Sequence, residues 1–237
     1  SWHVNQVSEA ENHFSSYASY FAQNFHTAFL AYPLTEFHGT SNSGILTLSN
    51  VLASSATRRT YPIDESFPTK FFDLDRCFMI TRYPTSDGNE LVLINSHMSA
   101  YDKGGTSRAQ QLALLTKIMS EERAKGNYVI AGGDWNHAIL GSLTLYPSVQ
   151  QVPDWVAELK DSDLPEGFSV VAPDNLTNVP TCRGDDIPYE KDKTYTTTVD
   201  GWIVSDNVVA TAKNVDTQFA YSDHNPVLLS FTLKSAE

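Results

Sequence analysis

Tyr128-Val129-Ile130-Ala131-Gly132-Gly133-Asp134-Trp135-Asn136 is the stretch on which the fold turns. An apolar, strand-forming run stops abruptly in glycines and delivers Asp134 and Asn136 just beyond it. A strand that ends this way presents its next polar side chains at the rim of a sheet, where sites are commonly built. By itself an Asp-x-Asn step is also an ordinary turn, because short polar side chains satisfy nearby backbone donors. What lifts it above a turn is that other strand ends carry matching chemistry.

Working outward, Asn95-Ser96-His97 closes the apolar run Leu91-Val92-Leu93-Ile94, and Asp200 precedes Gly201-Trp202-Ile203-Val204. Asp223 and His224, in Tyr221-Ser222-Asp223-His224-Asn225-Pro226, lead into Val227-Leu228-Leu229. Residues 106–125 read as a helix, with Leu112, Leu115, Ile118 and Met119 on one face and Gly126 as its stop. That helix is a crossover that brings the His97 and Asp134 strands into one sheet. Asp87-Gly88 between two apolar runs signals a hairpin. Further strands are expected over residues 27–32, 44–49, 51–61, 72–83, 197–204, 208–217 and 226–234. Residues 35–43 and 180–195 read as loops, the second lying over the site rim, and Trp155 is expected to pack a short helix. Residues 1–23 read as a short lead-in and an amphipathic helix, with Phe14, Tyr17, Ala18 and Phe21 at helical spacing. Strands with interspersed helices and no strict alternation predict an α+β sandwich, two packed mixed sheets flanked by helices, in a single domain over residues 1–237.

The formal charge of -12 argues against a surface built for tight, nonspecific attraction to nucleic acid, which requires a basic stripe. It leaves a phosphodiester substrate open, because acidic residues that hold a divalent cation create a local field that attracts phosphate. No apolar run approaches the roughly 20 residues needed to span a bilayer, so this chain has no transmembrane segment by sequence. Cys77 reads as a buried thiol in a strand and Cys182 as a loop residue; one bridge between them is conceivable, and neither has histidines at zinc-ligand spacing. His38 reads as a plain loop histidine, and Tyr101 and Lys103, just past His97, are candidate substrate contacts.

Asn95-Ser96-His97, Gly133-Asp134-Trp135-Asn136, Val199-Asp200-Gly201-Trp202-Ile203-Val204 and Ser222-Asp223-His224, in that order, resemble the motifs of the endonuclease/exonuclease/phosphatase superfamily of metal-dependent phosphoesterases. Ser43-Gly44-Ile45-Leu46-Thr47-Leu48-Ser49 is similar to that family's glycine-led internal strand. The resemblance covers roughly residues 26 to 234 and implies a four-layer sandwich that hydrolyses phosphate esters, diesters ahead of monoesters, with Mg²⁺ or Mn²⁺. It implies His224 as the group acting on water or phosphate, Asp200 as the holder of its tautomer, and Asp223 as a metal ligand. It implies Asp134 as the residue that orients or deprotonates the nucleophile, and Asn136 and His97 as donors to phosphoryl oxygens. Asn95 would support this geometry. Arg183, in Pro180-Thr181-Cys182-Arg183-Gly184, reads either as a surface loop arginine or as a residue that reaches a second phosphate or an anionic head group. The substrate class stays open between nucleic acid, lipid head group and small ester.

One departure matters. The family carries an Asn on its first strand and a metal-binding Glu on its second, and neither has a counterpart upstream of these motifs; Glu9 and Glu11 lie in the helical stretch. The resemblance therefore implies a domain lacking its first strands, with a companion N-terminal peptide as an expected partner and little activity without it. The alternative is a binding or scaffold protein that keeps the fold and has lost turnover.

Overall fold

Residues 4–30, 39–62, 76–100, 106–154 and 156–234 are described by a computed structural model of the chain. In chain order the elements are α1 (Gln6–His13), β1 (Ala18–Leu30), β2 (Gly39–Ser49), β3 (Ser55–Thr60), β4 (Cys77–Pro84), β5 (Glu90–His97) and α2 (Thr106–Ala124). There follow β6 (Tyr128–Asp134), β7 (His137–Ile139), β8 (Ala157–Leu159), β9 (Phe168–Val170) and β10 (Cys182–Arg183). The chain ends with β11 (Thr196–Thr197), β12 (Asp200–Ser205), β13 (Val208–Asn214) and β14 (Val227–Leu233).

The central sheet runs β3-β4-β5-β6-β12-β9. Only β5 and β6 are parallel within it, as a helical crossover demands, and α2 is that crossover. The two faces of the sheet are sorted by strand alternation. Ile80, Val92, Ile94, Val129, Ala131 and Ile203 meet Leu115, Ile118 and Met119 of α2 in one core. Each of those helical side chains contributes about 2 kcal/mol by leaving water. On the other face Tyr128, Ile130, Val204 and Trp202 pack under the β13–β14 ribbon, while Cys77 and Met79 pack under the β1–β2 ribbon. The result is the expected α+β sandwich, its second sheet layer formed by two antiparallel ribbons.

Glycines let β6 enter the centre of this sheet. A Cβ on Gly133 would lie 1.8 Å from the Ser96 carbonyl oxygen of β5, and one on Gly132 would lie 2.3 Å from the Trp202 indole. Neither site has room for any side chain, so the two glycines hold β5 and β6 in register and let Trp202 lie across the strand. The hairpin at Asp87-Gly88 is present, with Gly88 at φ 87 and Thr85 N–H donating to the Asn89 carbonyl.

The N-terminal expectation is corrected. The helix ends at His13 and buries no residue, and Ala18–Leu30 is a strand. Phe14, Tyr17, Ala18 and Phe21 match a helical period by coincidence. The burial alternates instead, with Ala22 and Asn24 inside and Phe21 and Gln23 outside, as period-2 pairing with β2 requires. The expected loop over residues 35–43 is likewise strand from Gly39 onward, and the strand expected over 51–61 is confined to Ser55–Thr60. His38, Tyr101, Lys103, Trp155 and residues 31–33 and 72–75 lie outside the described residues. Cys77 and Cys182 are both buried and free, so the conceivable bridge is absent.

Candidate active site

Strand register assembles the site. In β5–β6 His97 pairs with Asp134, and in β12–β6 Asp200 pairs with Asp134, so three neighbouring strands deliver His97, Asp134 and Asp200 side by side. His224 joins them from the turn before β14. Its Nδ1 is 2.7 Å from Asp200 Oδ2, its Nε2 is 3.9 Å from Asp134 Oδ2, and the Asp134 Oδ2 is 3.4 Å from His97 Nε2. Residues separated by 127 positions in sequence thus form one constellation.

The His224 turn is stitched down by a neighbouring segment. Cys182 and His224 form an isolated antiparallel bridge, and Arg183 N–H donates to the Asp223 carbonyl. Asn225 donates through Nδ2 to the Pro180 carbonyl and accepts at Oδ1 from Thr217. The Thr181 hydroxyl accepts from the Val199 and Asp200 N–H groups and so fixes the start of β12.

The electrostatics separate two roles. Burial pulls the His224 imidazole down, but its hydrogen bonds to Asp200 and Cys182 and the Asp200 charge outweigh that and raise its pKa to about 12. With no metal at the site, that balance favours the imidazolium form, paired with Asp200. Burial, then the Asp200 charge, raises the Asp134 carboxyl above the usual carboxylate range, against the opposing charge of His224. His97 is pushed down to about 3 by burial, with the Arg76 and His224 charges adding to it, so it is a neutral imidazole. Two imidazoles that both approach Asp134 Oδ2 are thus shifted in opposite directions.

Other residues expected at the site fall around this centre. Asn136 sits at φ 49, a conformation that Asn tolerates, and its amide donates to the Met98 carbonyl while its N–H caps Asp134 Oδ1. Asn95 donates to the Leu46 carbonyl and the Thr47 hydroxyl, tying β2 onto β5. Asp223 is exposed, with its carboxylate accepting from the Ser222 hydroxyl, and it is not brought into the Asp134–Asp200–His224 group. Arg183 Nη1 donates to the Gly184 carbonyl, and its Nε is buried with no hydrogen-bond partner.

His224 stands between two cavities. One, of about 650 Å³, is lined by Asn95, Asp134, Asp200 and His224 and by apolar Leu46 and Leu93. The other, of about 720 Å³, is lined by Asn136, Cys182, Arg183, Tyr195, Asp223 and His224. The carboxylates of the first could hold a metal ion. Ligand-capable atoms of Asp134, Asp200 and His224 lie within 4.8 Å of one another, the one such group of three among the described residues. Two carboxylates with few protein ligands besides suit a hard cation that keeps most of its waters.

Arg76 was not legible as a site residue in the sequence. It is 6% exposed, and its Nη1 lies 2.9 Å from His97 Nε2 and 3.2 Å from Nδ1. The one signal for it is position: a charged residue directly before the apolar start of β4, the neighbour of the His97 strand.

No protein-family model matches the chain, and no curated protein matches it. Solved structures do. An endonuclease/exonuclease/phosphatase from Beutenbergia cavernae superposes with a TM-score of 0.67 at 13% identity, covering 99% of this chain and 59% of that one. A conserved protein of unknown function from Enterococcus faecalis gives 0.63 at 15% identity, covering 97% of this chain and 82% of that one. Zebrafish (D. rerio) TDP2 complexed with a single-stranded DNA product gives 0.56 at 14% identity, covering 97% and 82%. The chain has the endonuclease/exonuclease/phosphatase fold. It spans 59% of the length of the first of these structures.

Proposed function

We propose that this chain carries the site of a divalent-metal-dependent phosphoester hydrolase acting on phosphodiesters ahead of monoesters. The observation that supports it most is geometric: Asp134, Asp200 and His224, delivered by separate strand ends, offer ligand-capable atoms within 4.8 Å of one another, with His224 Nδ1 2.7 Å from Asp200. Hydrolysis of a phosphate ester needs a deprotonated water, cancellation of charge on the phosphoryl oxygens and a proton for the leaving oxygen. Asp134, at the centre of the group, orients the attacking water or takes its proton. His224, held protonated and oriented through Nδ1 by Asp200, offers its Nε2–H to a phosphoryl or leaving oxygen. His97, neutral, donates a hydrogen bond without adding charge. Asn136 and Asn95 keep the strand ends in place, and Arg183 lies where a second anionic group of the substrate would enter the adjoining cavity.

Mg²⁺ or Mn²⁺ would be held by Asp134 and Asp200, with Asp223 as the further carboxylate at the rim, and would supply charge neutralisation and a more acidic water. The single-stranded DNA bound by zebrafish TDP2 makes a nucleic-acid phosphodiester one candidate substrate; a lipid head group is another.

The experiment is hydrolysis of bis-p-nitrophenyl phosphate with Mg²⁺ or Mn²⁺, before and after chelation, in the wild type, Asp134→Asn and His224→Ala. Expected is metal-dependent turnover that falls about a hundredfold or more in each variant. Turnover that survives both substitutions would overturn the assignment of roles. Phosphate binding with no turnover under any metal would favour a binding protein that keeps the fold.

A further inference from the structure

The buried stripe of α2 is apolar in its middle and polar at its ends: Arg108 and Gln111 open it, Leu115, Ile118 and Met119 follow, and Glu122 closes it. Gln111 has no exposed surface, yet both polar atoms of its side chain are used. Its Oε1 accepts from Ser99 N–H at 3.0 Å, and its Nε2 donates to the Ser99 hydroxyl at 2.8 Å and to the Pro62 carbonyl at 3.0 Å. A backbone N–H can only donate and a carbonyl can only accept, so this carboxamide fits one way round. Ser99 N–H belongs to the same planar peptide unit as the Met98 carbonyl. That carbonyl accepts from Asn136 Nδ2 at 2.8 Å. One peptide plane is thus gripped by Gln111 at one edge and by Asn136 at the other.

We propose that Gln111 is a positioning residue that, through the Met98–Ser99 peptide, sets the direction of the Asn136 carboxamide. One N–H of Asn136 Nδ2 is engaged with Met98, and the plane of the amide then fixes where the second one points. Asn136 lines the cavity of about 720 Å³ that His224 also lines, so an acceptor entering there, a phosphoryl oxygen on the hydrolase reading, meets a donor of set direction. The backbone of Asn136, at φ 49, is held from the same helix. Arg108, one turn before Gln111, donates through Nη1 to the Asn136 carbonyl at 3.2 Å and to the Ala100 carbonyl at 3.4 Å. Met98 N–H donates to the Asp134 carbonyl at 3.1 Å and ties the two strand ends directly. The segments that follow β5 and β6 are therefore fastened as one body to the start of α2, by amides and a guanidinium that keep their charge states near neutral pH.

The kinetic consequence rests on the phosphoester reading; the orientation of the amide does not. In the whole chain, NMR coupling across the hydrogen bond from Asn136 Nδ2 to the Met98 carbonyl carbon is expected in the wild type. Gln111→Met keeps the volume and removes both the donor and the acceptor. There the coupling is expected to disappear, with kcat/KM on bis-p-nitrophenyl phosphate down about tenfold. Gln111→Glu, which keeps an acceptor for Ser99 N–H, is expected to recover the coupling and most of the rate. In an Asn136→Ala background Gln111→Met is expected to cost nothing further, because positioning acts only through that amide, whereas a merely structural loss would lower both backgrounds alike. If Gln111→Met does not fold, Gln111→Asn, which draws the amide back by one methylene, carries the same test. Absence of the coupling in the wild type, its persistence in the variant that lacks the Gln111 contacts, or additive losses in the double variant overturns the proposal. A coupling that is present in the wild type and lost in Gln111→Met, with no turnover under any metal, would leave the positioning of Asn136 standing and refute the hydrolase reading alone.

Discussion

Thr181 has no exposed surface, and its hydroxyl accepts from Val199 N–H at 3.0 Å and Asp200 N–H at 3.1 Å. One side chain thus sets where β12 begins, and through Asp200 it sets where His224 points. Thr181→Val keeps the shape and removes the acceptor, leaving two buried donors unsatisfied. That substitution is expected to cost about 2 kcal/mol in urea unfolding and to lower kcat more than it raises KM, with Thr181→Ser restoring both. Equal stability of the valine variant would remove Thr181 from this role. The contrast with His97, Asp134, Asp200 and His224 explains what the sequence made legible. Those four sit at strand ends, and strand ends can be found from local apolar runs. Thr181, Asn225 and Arg76 act through contacts 19, 45 and 21 positions away, which no local pattern encodes. Asp223 shows the converse: it has the right neighbour in sequence, yet it is exposed and stands outside the group of three that this neighbour joins.

At the scale of elements, α2 matters because it joins the two parallel strands that carry His97 and Asp134. Its C-terminal end is fastened by Glu122, which accepts from Arg82 of β4 at 2.7 and 2.9 Å, from Lys125 at 2.8 Å and from Asn127 at 2.8 Å. The hydrogen bond from Arg82 is the largest cause that lowers the Glu122 carboxyl to about 2, against burial, with Lys125 and Asn127 adding to it. A depressed carboxyl pKa makes its contribution above the unfolded value, near 4.5, and loses it as pH falls toward the folded value. Glu122→Gln should therefore cost about 3 kcal/mol at pH 7, and the gap to wild type should shrink between about pH 4.5 and pH 2. Urea titrations at several pH values check this; a gap independent of pH would mean that Glu122 packs without pairing. The helix itself was readable because its apolar face persists for several turns. In the N-terminal segment the aromatics at 14, 17 and 21 carry a helical period, while the inward positions of β1, Ala22 and Asn24, are a small and a polar residue that no apolar pattern marks.

For the molecule as a whole, the deciding quantity is the net charge of -12 set against the positive charge gathered at the proposed site. Arg76, the imidazolium of His224 and Arg183 place positive charge at the constellation and its two cavities, while Asp154, Asp185 and Asp186 rim the cavity of about 720 Å³. Close to the site, attraction acts over a few ångströms and is little affected by salt. Farther out, the acidic surface repels a long polyanion, and salt screens that repulsion within about 10 Å at 0.1 M. A nucleic-acid enzyme with a basic groove loses affinity as salt rises, because counterions are no longer released. Here the sign reverses. With metal held constant, kcat/KM on a single-stranded oligonucleotide should rise a few-fold from about 20 to about 100 mM NaCl, while kcat/KM on bis-p-nitrophenyl phosphate should change by less than about twofold. Steady-state rates on the two substrates across that range check it. A steep fall on the oligonucleotide would show that a local basic track outweighs the overall acidity, and would favour a nucleic-acid substrate over a small or lipid-derived diester.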